Sequence, residues 1–142
     1  MVDYGQLAAE LTQDPKSYGY GTLAAQGNDQ GQADLLNLVR PEITVSRTDI
    51  RRAEVIGALV VADYDALTAA RRDLMSAILL LEVVDATDAT LRANLGAVFG
   101  AATQTRANLA ALAQRQGSRA EQLFGTGVRI AHQDVAKALG RG

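Results

Sequence analysis

Leu67, Ala70, Leu74, Ile78 and Leu81 recur at steps of three and four residues. That spacing draws one apolar stripe down an α-helix, and a helix with one stripe must bury it against other helices. The pattern predicts a long helix over residues 63–81, with Asp63 as its cap and Arg71, Arg72 and Asp73 beside the stripe. Composition points the same way. Alanine is the commonest residue, and it has the highest helix propensity because it loses no side-chain entropy. Aromatics make up 4% of the chain, so the core is filled by Leu, Val, Ile and Ala, and its helices sit close together.

Start and stop signals divide the rest of the chain. A first helix is expected over residues 3–12, with Asp3 as cap and Leu7 and Leu11 on one face. Asp14-Pro15 ends it, because a residue before proline is pushed out of the helical region. Residues 13–31 read as loop-rich, carrying Tyr18, Gly19, Tyr20, Gly21 and Gly27. A short helix is expected at 32–39, ended by Arg40-Pro41. Ile43, Thr44 and Val45 then favour an extended segment at 42–46. Further helices are expected at 48–61, from Thr87 to about residue 99, and at 103–116. Gly117-Ser118 is a stop followed by a cap, and Ser118 with Glu121 spells a capping box for a brief helix to Phe124. A short extended segment at 128–130 leads into a last helix at 132–139. The expected fold is all-α, a compact bundle of about six to seven helices in one domain spanning residues 1–142.

A formal charge of −2, from 14 basic and 16 acidic residues, supplies no strong positive field for phosphate binding. A nucleic-acid partner is therefore not expected. The longest apolar run, Ala77-Ile78-Leu79-Leu80-Leu81, is far short of a membrane span, and the N-terminus lacks the features of a signal peptide. With no cysteine, disulfides, thiol catalysis and cysteine-based metal sites are excluded.

The single histidine, His132, has Asp134 as its nearest candidate partner, but an offset of two residues puts them on different helix faces. The pattern places His132 at the start of the final helix. Asp63 and Asp88 fall where helix starts favour negative charge, so capping accounts for them. No nucleophile elbow, phosphate-binding glycine loop or dinucleotide fingerprint is present. No catalytic residue, cofactor or metal ligand is assigned. Residues 117–139 have the outline of a helix-turn-helix, but the turn at 125–131 is longer than the usual three or four residues.

Candidate interface residues are Arg51, Arg52, Arg115 and Arg119, since arginine is enriched where its stem packs and its fork meets a carboxylate. Tyr18 and Tyr20 join them: large rings in a glycine-rich loop either tuck back onto the domain or anchor a partner.

An ordered set of local patterns remains. It consists of a first helix ending in Asp14-Pro15, then Gly19-Tyr20, Leu35-Leu36-Asn37, and Val98-Phe99-Gly100 followed by Thr105. Ser118-Arg119-Ala120-Glu121-Gln122-Leu123 follows, and then Val128 with Asp134-Val135. In that order the chain resembles a family of small structural proteins of tailed-bacteriophage virions. Its loop, Asp14-Pro15-Lys16-Ser17-Tyr18-Gly19-Tyr20, lacks the glycine-arginine character of many members. The resemblance implies a non-enzymatic neck or tail component made in the bacterial cytoplasm. It would be incorporated into the virion in several copies, as a ring or symmetric assembly. Its partners would be other virion proteins of the portal, neck, tail or fibre. The rival expectation is a phage-encoded DNA-binding or packaging regulator using the C-terminal helices, and the remote one an enzyme built on His132.

Overall fold

The computed structural model describes residues 1–141. The chain is mainly helical but not all-α. Ten helices lie among the described residues, with two small two-stranded sheets, where six to seven helices and no sheet were expected. The chain divides into two compact units, Met1–Val45 with residues from Gln116 onward, and Ser46–Arg115. Buried side chains gather into two clusters rather than the single core expected, one in each unit.

Unit one begins with α1 (Tyr4–Gln13), capped as expected by the Asp3 carboxylate, which accepts from the Gln6 amide at 3.0 Å. Asp14 ends α1 in a left-handed conformation, and its carboxylate accepts from the amides of Tyr18 and Gly19 at 2.7 and 2.8 Å. This nest folds the expected loop into a helical turn, α2 (Tyr20–Ala25). Asn28 then caps α3 (Asp29–Asn37), three residues before the start expected from the apolar pattern. β1 (Val39–Ser46) contains the extended segment read from its β-branched residues.

The chain re-enters unit one through a strand, β4 (Gln114–Ser118), which pairs with β1. A Cβ on Gly117 would lie 2.8 Å from both methyls of Val45, so the pairing requires glycine there. Ser118 and Glu121 form the expected capping box at the head of α9 (Arg119–Phe124). Residues 128–130 form no ladder. Asn37 clamps Ile130 instead, accepting from its amide at 2.8 Å and donating to its carbonyl at 2.7 Å. α10 (His132–Ala138) packs on α1 and α3 around Leu7, Leu11, Leu36 and Val135.

Unit two opens with β2 (Ile50–Arg51), which pairs antiparallel with β3 (Val83–Val84), Ile50 opposite Val84 and Arg51 opposite Val83. α4 (Arg52–Ala58) follows directly, so the helix expected over 48–61 is shorter and preceded by a strand. The expected long helix is two helices, α5 (Val61–Asp65) and α6 (Ala69–Ile78). The break has a physical cause. Thr68 caps α6 by accepting from the Arg71 amide, and Asp63 turns away from its expected cap to bind Thr105, at 2.9 Å to the amide and 2.7 Å to the hydroxyl. Asp88 caps α7 (Ala89–Val98), accepting from the Leu91 amide at 3.1 Å, so the helix starts two residues after the expected Thr87. Thr103 caps α8 (Gln104–Leu112), and the residues expected to extend it form β4. Ile50, Val55, Met75, Val84, Val98 and Phe99 fill the core.

Candidate interaction surface

The six residues singled out in the sequence part into two groups. Tyr20 is fully buried, against Leu7, Leu11, Ala33 and Leu36, and its hydroxyl donates to Glu10 at 3.2 Å. Burial first, and the Glu10 charge second, raise its pKa far above the usual phenol range. Tyr18 meets Tyr20 edge to face at 6.1 Å, and the Arg40 guanidinium lies 3.6 Å over its ring. Both tyrosines thus take the first of the two readings, tucking back onto unit one, with Tyr20 buried and Tyr18 half-buried. Arg119, by contrast, is corrected. It is 8% exposed and forms a two-pronged ion pair with Glu10 at 2.8 and 2.9 Å, while donating to Gln122 at 2.5 Å. Arg115 lies half-buried on β4.

Arg51 and Arg52 stay on the surface, where the β2–β3 ladder sets them beside exposed aliphatic residues. Leu80 is 79% exposed, Leu81 42% and Val83 52%. The Arg52 amide donates to the Glu82 carbonyl and its Nε to the Leu81 carbonyl, at 3.2 and 3.3 Å. These bonds hold the backbone at Leu81 and Glu82 within an exposed run over residues 80–83. Beneath them Arg47 grips Glu54 with both terminal nitrogens at 3.1 and 3.0 Å, and Glu54 accepts from the Arg51 amide at 2.9 Å. The turn that carries Arg51 is therefore rigid. An exposed aliphatic centre with arginines beside it is the composition that protein interfaces favour.

Sequence reasoning placed Leu81 on the buried stripe and gave Leu80 and Val83 no role, whereas all three are exposed. The signal was present: consecutive apolar residues spread round a helix, so one stripe cannot bury five of them. Ile56 and Val61 are also exposed in unit two, and Leu38 and Val39 in unit one.

His132 is exposed at the first position of α10, and Asp134 is occupied by the Tyr4 hydroxyl at 3.0 Å and the Ala131 amide at 2.9 Å. Among the described residues, no group of three or more His, Cys, Asp or Glu could hold a metal ion, and no helix is long and apolar enough to cross a membrane. Compared with protein-family models, curated proteins and solved structures, the chain matches none.

The Arg47 contacts hold the Glu54 carboxyl below its ordinary value of 4.5, and the Thr87 hydroxyl and amide do the same for Asp85 below 3.8. A depressed folded value stabilises the native state above the unfolded value and loses that contribution as pH falls through the folded one. Unit two is therefore expected to lose stability on acidification below pH 4.5. Urea titrations followed by NMR at the Met75 and Val84 amides check this. Arg47→Met should flatten the acid limb, and an unchanged slope in that variant rejects the assignment.

Proposed function

We propose that this chain is a non-enzymatic structural component of a tailed-bacteriophage virion, an adaptor-like protein of the neck or tail. It binds other virion proteins in a multi-copy assembly, and is made in the host cytoplasm. The observation that carries the reading is the exposed aliphatic strip Leu80, Leu81 and Val83 with Arg51 and Arg52 beside it. Leaving several large apolar side chains together in water forfeits the favourable transfer that folding otherwise supplies, and a partner surface recovers it. The ordered motifs from Asp14-Pro15 to Asp134-Val135 support the same reading by resemblance.

The test is quantitative mass spectrometry of purified particles from the source phage. The chain should be present at a fixed ratio to the portal, at a copy number set by ring symmetry. Its absence from particles that still contain portal and tail proteins refutes the proposal.

A further inference from the structure

α7 and α8 enclose an open recess of about 200 Å³, floored by Leu95, Leu109, Ala110 and Ala113 and flanked by Arg92 and Arg106. A smaller chamber of about 40 Å³ shares Arg92, Leu95, Leu109 and Ala113 as walls. Its other walls include Ile50, Val55 and Val84, which belong to the core of unit two. A half-open apolar recess therefore adjoins an apolar chamber within one unit. Leu95 and Leu109 stay half-buried between them.

The charge at the recess is of one sign. Arg92 is exposed, and its guanidinium meets no carboxylate among the described residues. Arg106 is half-buried and donates from Nη1 to the carbonyls of Gly96 and Phe99 at 2.9 and 3.0 Å. Its Nη2 makes no hydrogen bond among the described residues. Gly96 leaves that nitrogen room, since a Cβ there would sit 3.2 Å from it. One acid, Asp85, lines the chamber and none lines the recess. The Thr87 amide and hydroxyl hold the Asp85 carboxylate at 2.8 and 2.6 Å. Two guanidiniums with donors to spare thus flank an apolar floor.

We propose that this recess binds a small aliphatic carboxylate, its head group on Arg92 and on Nη2 of Arg106, its chain across Leu95 and Leu109. Guanidinium donors meet a carboxylate in charge-assisted hydrogen bonds, about twice as strong as neutral ones. The chain covers half-buried leucines, and that burial is favourable. An inorganic anion would leave the floor bare, and a neutral hydrocarbon would leave the arginines unmet. Size agrees. An apolar cavity of about 150 Å³ holds benzene, so a recess of about 200 Å³ suits a ligand of about eight heavy atoms. It is too small for a nucleotide or a large cofactor. The site lies on α7 and α8, not on the strip at residues 80–83, and stands whether or not the virion role holds.

NMR titration of the full chain with sodium hexanoate tests the site. Amide shifts should centre on Leu95, Gly96, Leu109 and Ala110 and saturate with a midpoint below about 5 mM. Hexanol keeps the chain without the charge, hexylammonium reverses the charge, and inorganic phosphate keeps an anion without the chain. Each should bind at least about fivefold more weakly than hexanoate. Arg92→Gln, at an exposed position, should weaken hexanoate about fivefold and leave hexanol unchanged. Ala110→Phe, also at an exposed position, fills the recess with its ring and should abolish saturable binding. Unchanged amide shifts at Val55 and Met75 in both variants check that the core of unit two is intact. No saturable shift with hexanoate up to about 50 mM overturns the proposal. So does hexanol, hexylammonium or phosphate binding as tightly as hexanoate, or either variant binding hexanoate like wild type.

Discussion

Arg119→Met should lower the stability of unit one by about 3–5 kcal/mol, because it strands the Glu10 carboxylate in the core without its counter-charge. The pair is shielded from water on both sides, with side chains 10% and 4% exposed. Both prongs are short, and Tyr20 donates to the same carboxylate. Glu10 is on α1 and Arg119 opens α9, 109 residues later, so the pair ties the two ends of a discontinuous unit. Combining Glu10→Leu with Arg119→Met should recover most of the loss, since a buried pair replaced by apolar groups of similar volume is often near neutral. Urea unfolding followed by circular dichroism checks both. A single-variant loss under about 1 kcal/mol, or a double variant as unstable as the sum of the singles, rejects this account. An interface role for Arg119 would instead leave unfolding unchanged and alter association.

The comparison of Arg119 with Ser118 shows what was legible in the sequence. Ser118 and Glu121 act within one helical turn, and local hydrogen bonding of that kind is written in the spacing of the residues. Asp3, Thr103 and Asp88 are caps for the same reason. Arg119 differs only in what faces it across 109 residues, and no spacing encodes that. A polar side chain on a helix looks the same in sequence whether water or a buried carboxylate receives it.

The 67–81 stripe failed for a related reason. Its period is helical, but Thr105 draws Asp63 away from the cap it was expected to form, and Thr68 caps a new start. The β2–β3 sheet was missed because its strands have two residues each, too few for an alternation to register. In the other sheet β1 was read in part as the extended segment 42–46, while β4 was read as the end of a helix. The candidate surface was half legible. Arg51 and Arg52 were identified by residue type, whereas the exposure of Leu80, Leu81 and Val83 follows from where α6 stops.

The second large effect falls on unit two. Phe99→Ala should cost about 3–5 kcal/mol, the range for truncating a buried aromatic. Phe99 is 1% exposed and packs with Ile50, Val55, Met75, Val84 and Val98. The other aromatic of this unit, Tyr64, packs only at the margin of that cluster, so no ring stands by to fill the space. The neighbours are fixed as well. The Phe99 carbonyl accepts from Arg106, and the end of α7 cannot slide inward without breaking that bond. Phe99→Leu should cost far less, within about 1.5 kcal/mol, since it keeps most of the volume. Native-state hydrogen exchange separates the consequence by region. Amides of Val55, Met75 and Val98 should lose protection in Phe99→Ala, while those of Leu7, Leu36 and Val135 should hold within about 0.5 kcal/mol, as expected for sites that share no partner. Two clusters without a common buried residue predict that selectivity. Equal loss at both sets of amides would mean that the chain unfolds as one cooperative body and rejects this account.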